Sequence, residues 1–332
     1  MTKPTETRLV WAYEADYRTA TIIGAASTSY WFGKYDDSIK KWNAPGLKNK
    51  VGKFYTYNSR TPTLVDLKRD FPAFKHVWNP TTAQHAVWLL GKCTTTGDPE
   101  TFDPYLVATQ KNSLTVRWEE DGGSNDMLIN AVGCYLVELY GKAAIGSPYL
   151  VEGIFAWSDV EDKGDGANAI LTTAPTICGG ADVSQMYDGN PTVVYDYLGG
   201  GSATLTDVIM AEWRIKQNYK TVKDSDELGQ AVYLYEFDEA ELILTALMES
   251  DAKWDDFIDR TPKDYSVKVF KPDGLDYITW IFDNVRILDE VKEAEIYEGL
   301  VTSQLVCKAE KATGIFTFDG SEARATHFKT AA

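Results

Sequence analysis

Catalytic chemistry needs a base, a nucleophile or a metal set at a workable spacing, and few residues here could supply one. There are three histidines, His76, His85 and His327. No two of them stand at i and i+4, and HExxH is absent. His85 falls in a helix-like stretch and reads as a packed residue. Neither GxSxG nor GxxxxGK[ST] occurs, so the chain spells no nucleophile elbow and no P-loop. Gly164-Asp165-Gly166-Ala167-Asn168-Ala169 fits GxGxxA by letter, but it follows an acidic polar run where the dinucleotide fingerprint needs a buried strand. Cys93, Cys134, Cys178 and Cys307 are scattered without a CxxC pair, which leaves no zinc or redox motif. Cys134 and Cys307 sit in apolar runs and read as reduced core residues.

Carboxylates are the remaining candidates. Glu119, Glu120, Asp121 and Asp126 crowd one stretch, as paired acid–base carboxylates would. Without a flanking pocket pattern they read instead as a solvated acidic loop or turn. Asp159, Glu161, Asp162 and Asp165 resemble a calcium loop, but Ile170 stands where the twelfth position requires Glu. The expectation is no catalytic residue, no cofactor and no metal, hence no enzyme.

The elements that would position such residues are mostly strands. The chain has 332 residues, 44% hydrophobic and 13% aromatic, and a formal net charge of −16. That size suits two domains, and the aromatic density favours β structure. The charge argues against wrapping nucleic acid, since phosphate neutralisation needs Lys and Arg. No basic-then-apolar leader opens the chain and no apolar run reaches spanning length, so synthesis in a cytoplasm and no membrane partner are expected.

Residues 33–62, rich in Lys, Gly, Asn and Pro, read as a long loop. Its Lys40 and Lys41 belong to a basic segment suited to acidic surfaces of neighbours. A helix is expected over 81–91 and strands over 113–118, 127–139 and 149–157. Residues 158–173 read as a linker. Thr204 to Gln217 reads as one amphipathic strand, with Thr206, Glu212, Arg214 and Lys216 on its polar face. The ambiguous run 239–248 alternates and reads as a strand. A second helix is expected over 251–260. Pro272-Asp273-Gly274 then turns a hairpin over 265–288, followed by a strand over 300–308. Set side by side, helix 81–91 and strands 113–118, 127–139 and 149–157 echo helix 251–260 and strands 265–270, 275–288 and 300–308. The predicted division is one β domain over 1–160, a linker over 161–190, a second β domain over 191–320 and a mobile tail over 321–332.

The succession AVWLLGKC, NSLTVRWEEDGG, INAVGCYLVELYGK and YLVEGIFAWS, then ATLTDVIMAEWRIKQNY, EAELILTALMES, DAKWDDFIDR, YSVKVFKPDGLDYITWIFDNVRI and EGLVTSQLVCKAE, resembles the tail tube (major tail) proteins of long-tailed double-stranded DNA bacteriophages and related archaeal viruses. The resemblance covers most of the chain and carries no invariant signature. It implies a mainly β fold: tandem antiparallel β-sandwich or barrel tube domains, each flanked by one helix, joining into a ring-wide β-barrel. It further implies a virion protein whose copies form a trimeric pseudo-hexameric ring or a homohexamer. Such rings stack into the tube through which double-stranded DNA passes without specific binding. The implied partners are the tape measure protein, the tail terminator and baseplate or tail-tip proteins. On that footing Glu119, Glu120, Asp121, Asp126, Lys40 and Lys41 are expected at inter-ring or rim contacts. Thr206, Glu212, Arg214 and Lys216 are expected to face a carboxylate-rich channel, and the 113–139 and 265–288 units to give strands to its wall. A carbohydrate-binding or adhesion β-sandwich is the alternative, motivated by the many Trp and Tyr.

Overall fold

Alternation with period two governs most of the chain, and the computed structural model is accordingly built of antiparallel strands, with one short helix among the described residues. It describes residues 6–14, 17–18, 30–31, 39–42, 48–54, 63–81, 83–90, 92–95, 100–103, 113–121, 127–161, 187–196, 201–223, 229–247, 261–272, 274, 277–297 and 300–317. The first half contains β1 (Glu6–Tyr13), β2 (Tyr30–Trp31), β3 (Ile39–Trp42), β4 (Lys48–Phe54), β5 (Thr63–Asp70), β6 (Phe74–Trp78), α1 (Gln84–Leu90), β7 (Lys92–Thr95), β8 (Glu100–Asp103), β9 (Leu114–Asp121), β10 (Met127–Ala144), β11 (Leu150–Ala156) and β12 (Asp159–Glu161). The second contains β13 (Thr192–Tyr195), β14 (Ala203–Leu205), β15 (Val208–Lys223), β16 (Gln230–Leu247), β17 (Lys263–Phe270), β18 (Tyr277–Tyr297), β19 (Leu300–Ala309) and β20 (Lys311–Thr317).

Two long strands, β10 and β18, tie three sheets together. The central sheet runs β3-β6-β11-β10-β15-β16-β19-β18. One outer sheet runs β2-β1-β9-β10-β12. The other runs β14-β13-β17-β18-β20-β8-β7, so two first-half strands extend a second-half sheet. β4 and β5 pair with each other. β10 leaves its outer sheet after Cys134 and enters the central one at Tyr135. β18 does the same between Val285 and Arg286.

The two halves repeat this pattern and share three of its irregularities, while a further slip of β18 between Val291 and Glu295 has no counterpart on β10. The β9–β10 ladder slips between Ala131 and Cys134, and the β17–β18 ladder between Phe282 and Val285. Each slip holds a left-handed residue, Gly133 at φ 61° and Asn284 at φ 51°. The next slip lies between Leu136 and Glu138 on β10 and between Ile287 and Asp289 on β18. At the other end, β3 slips between Ile39 and Lys41 as β15 does between Val208 and Met210. Bulges re-aim a strand, and here they carry β10 and β18 from one sheet into the next. The expected echo is therefore a match of registers, with Leu114 answering Lys263 and Trp118 answering Val267, a few residues from the alignment read off the sequence.

Other expectations change. The long loop at 33–62 contains β3 and β4. The strand expected over 204–217 is broken at Thr206 and Asp207, with β14 in an outer sheet and β15 in the central one. The start of the expected linker is β12, paired to Asn130–Val132. The 265–288 hairpin forms, but it lies in an outer sheet until Val285; only the later part of β18 joins the central sheet. The expected helix over 251–260, most of the 161–190 linker and the 321–332 tail lie outside the described residues.

A core of Trp, Phe, Leu and Val fills the space between the sheets. All seven residues of α1 are buried, and Trp88 meets Trp11 with ring centroids 4.8 Å apart. A carboxyl group is sunk beside β10. Glu14 accepts hydrogen bonds from Gly133 N at 2.7 Å, Arg18 N at 2.9 Å, Thr115 Oγ1 at 3.0 Å and Ser113 Oγ. Burial pushes its carboxyl above the ordinary range, against those donors. Tyr17, in the same turn, accepts from Val232 N of β16 at 2.7 Å, which ties the first strand's exit to the second half.

Two outcomes follow. Glu14→Gln presents an amide to those donors and should cost about 1–3 kcal/mol in urea unfolding, the price of leaving buried donors unmet. Gly133→Ala should cost at least about 1–2 kcal/mol, because an alanine pays for the left-handed backbone and its Cβ would overlap Ser158. Asn284→Gly at the matching bulge should stay within about 1 kcal/mol of wild type by the same measurement.

Candidate functional site

The chemically distinctive surface is one face of the central sheet. On β15, Ala211, Trp213, Ile215 and Gln217 are buried while Glu212, Arg214 and Lys216 alternate with them at intermediate exposure. Register then sets their neighbours. Across the β10–β15 ladder Glu138 lies opposite Lys216, Tyr140 opposite Arg214 and Lys142 opposite Glu212. Across β15–β16, Arg214 lies opposite Glu241 and Lys216 opposite Glu239. Glu241 lies opposite Lys308 of β19. On the other flank Glu152 of β11 lies opposite Tyr140.

These neighbours close into pairs. Lys142 Nζ contacts Glu212 Oε1 at 2.8 Å, and Tyr140 donates its hydroxyl to the same oxygen. Arg214 Nε donates to Glu138 Oε1 at 2.7 Å, and Lys308 Nζ to Glu239 Oε1 at 2.9 Å. Lys75 of β6 pairs with Glu152. Over β6, β10, β11, β15, β16 and β19 this face thus holds five carboxylates (Glu138, Glu152, Glu212, Glu239, Glu241) and five cations (Lys75, Lys142, Arg214, Lys216, Lys308). The carboxylate-rich surface expected from the chain's overall charge is not what this face shows: it is balanced. The hydrogen bond to Glu138 raises the Arg214 guanidinium further. Burial, then the bond to Glu212, push the Tyr140 phenol well up.

The opposite face is packed. Trp213 stacks on Tyr149 with centroids 5.5 Å apart, and Gly141, opposite Trp213, leaves the room that its indole takes.

No family model matches the chain. No curated protein matches it. Among solved structures it is similar to the anti-feeding prophage cap, the AFP tube-terminating cap, at 12% identity and a TM-score of 0.30, over 45% of this chain and 97% of that one. A likeness that slight carries nothing about function.

The expected site residues fall in different places. Glu212, Arg214 and Lys216 share the charged face, but Thr206 does not; it is exposed in the bend between β14 and β15. Glu119, Glu120 and Asp121 are not a turn. They are the end of β9, laddered to Arg8, Thr7 and Glu6 of β1. Asp126 lies outside the described residues. Lys40 and Lys41 are on β3, at one end of the central sheet, far in register from Glu119. Asp159, from the calcium-like run, takes a bond from Arg18 at 3.2 Å. His76 and His85 are buried, and burial lowers the His76 imidazole to about 3.

The sequence reading missed Glu138, Tyr140, Lys142, Glu152, Glu239, Glu241 and Lys308 as members of this face. The available signal was Glu138, Tyr140 and Lys142 at every second position late in the strand 127–144; their partners depend on register between distant strands.

Glu239 should titrate below the ordinary carboxylate value of about 4.3, because Lys308 donates to it. Glu241 should titrate above it, because burial and then the Glu239 charge oppose its ionisation. The depressed Glu239 adds stability that is present above the unfolded value and lost as pH falls through the folded one; Glu241 acts with the opposite sign. Lys308→Met should raise the Glu239 midpoint in a carboxyl NMR titration, and an unmoved midpoint would show that the pair does not form.

Proposed function

We propose that the chain is a structural tail protein of a phage-type particle: copies close side by side into a ring, and rings stack into a tube that conducts double-stranded DNA. The observation that supports this most is the central sheet. It consists of two four-strand units in the same order, charged on one face, packed on the other and paired on one side only at both ends among the described residues. Open sheet edges invite uncontrolled pairing, and closure removes them. Three copies, each supplying eight strands, close a wall of twenty-four, roughly 40–50 Å across between backbones at ordinary strand spacing and tilt. Because each chain repeats its unit twice, such a trimer has six similar lobes, which favours it over a homohexamer.

The charged face then lines the channel. Its alternating charges cancel over distances shorter than a Debye length, so a sliding phosphate backbone meets neither a binding stripe nor a strong barrier. The tube would seat on tape measure, terminator and baseplate or tail-tip proteins at its ends. The glycan-binding alternative loses its tryptophan motive among the described residues, since Trp11, Trp78, Trp88, Trp118, Trp157, Trp213 and Trp280 are all buried, and keeps only exposed tyrosines such as Tyr219, Tyr233 and Tyr235.

Cryo-electron microscopy of the purified chain at rising concentration should give end-on class averages with a central pore, threefold symmetry and six similar lobes. A chain that stays monomeric at every concentration, under conditions that promote assembly, would overturn the proposal.

A further inference from the structure

The matched registers allow one more step, which rests on the ring-forming reading above. We infer that the contact between neighbouring copies repeats the junction inside one chain: the outer edge of β18 pairs antiparallel with β3 of a second copy, as β10 pairs with β15. In the central sheet β18 occupies the place of β10 beside β19, and β3 the place of β15 beside β6. Among the described residues, the side of each that pairs with no strand is the side that its counterpart uses in the internal junction.

The internal ladder sets the register. Lys142 lies opposite Leu150 as Glu295 lies opposite Thr302. Val208 and Met210 hold on β15 the positions of Ile39 and Lys41 on β3. The internal pairs Ala143–Ala211 and Ala144–Met210 therefore correspond to Ile296 against Trp42 and Tyr297 against Lys41 of the next copy.

Two independent features fit a second copy as the occupant. The first is charge. Over 289–297, the part of β18 that answers Glu138–Ala144 of β10, the sequence carries Asp289, Glu290, Glu293 and Glu295 against a single Lys292, while β3 carries Lys40 and Lys41. The pairing β18 to β3 is attractive, and β18 to β18 is repulsive. The second is an exposed leucine. Val137, the bulged residue of β10, is 2% exposed, covered by Val232 and Leu234 from the far part of the β15–β16 hairpin. Leu288, the bulged residue at the matching place on β18, is 57% exposed. The β4–β5 hairpin stands in the chain between β3 and β6 as that far part stands between the bodies of β15 and β16. A second copy bringing β3 to β18 also brings its β4–β5 hairpin to cover Leu288.

Leu288→Asp tests this without touching the core. Native mass spectrometry and light scattering of the full chain should show assembly weakened at least about tenfold, with the melting temperature of the dissociated chain unchanged. Lys40→Glu with Lys41→Glu, and separately Glu293→Lys with Glu295→Lys, should each weaken assembly, and the four changes combined on one chain should restore it. Trp42→Cys with Ile296→Cys should cross-link copies on oxidation, since directly opposed residues lie at about 4.5–5.5 Å between Cα atoms. Rings that ignore Leu288→Asp and the charge reversals and fail to cross-link overturn the edge pairing while leaving the ring reading intact. A wild-type chain that never assembles overturns both.

Discussion

The structure depends on one edge-to-edge pairing. Seven consecutive residues of β10, Glu138 to Ala144, face seven of β15, Lys216 to Met210, and this ladder makes one sheet out of two. Without it each half would end in an open strand next to a large apolar surface. With it, Trp213 reaches across Gly141 to stack on Tyr149, and the core runs unbroken from Trp11 to Leu305. The charged face follows from the same ladder. Lys142–Glu212 and Arg214–Glu138 are cross-strand pairs of this junction, so the interaction that joins the halves also neutralises the surface between them.

The bulges explain how such a ladder is reached. A strand in one sheet cannot enter another without turning, and β10 must leave the layer shared with β9 to meet β15. The slip at Val132–Gly133 and the second at Val137 supply that turn. The left-handed residue is glycine where Ser158 crowds it and asparagine at the matching site on β18, the two residue types that tolerate that backbone. Bulges kept at matching places in both halves are evidence for a repeated unit, because a chance series of strands has no reason to share its defects.

How much of this was legible in the sequence follows from the range of the forces involved. Local patterns carried well. The 265–270 strand, the 149–157 strand and the extended run 239–248 all rest on alternation within a few residues, and the described part of each is a strand. Position in a sheet did not carry. Glu119 to Asp121 look like a turn because acidic runs are usually solvated, yet β1 and β10 pair with them from both sides. Thr206 continues the alternation of β15 in the sequence, but the chain bends at Asp207 to change sheets. Glu14 gave no signal, since a buried carboxylate is recognised by donors from Ser113, Thr115 and Gly133, far along the chain.

The balance of charge on the central sheet bears on association as well. The chain carries a net −16, while the described charged face sums to nothing, so the excess lies elsewhere. Self-repulsion over the remaining surface keeps copies apart at long range. Only short-range contacts of high complementarity can overcome it, and sheet edges are such contacts because every backbone donor and acceptor they expose must find a partner or water. On the assembly proposed above, the gain from hydrogen bonding and burial comes only where two edges meet in register, and it is concentrated on a few residues. On that assembly, directional edges on a repeated unit convert an ordinary hazard of β proteins into a rule about which surfaces touch.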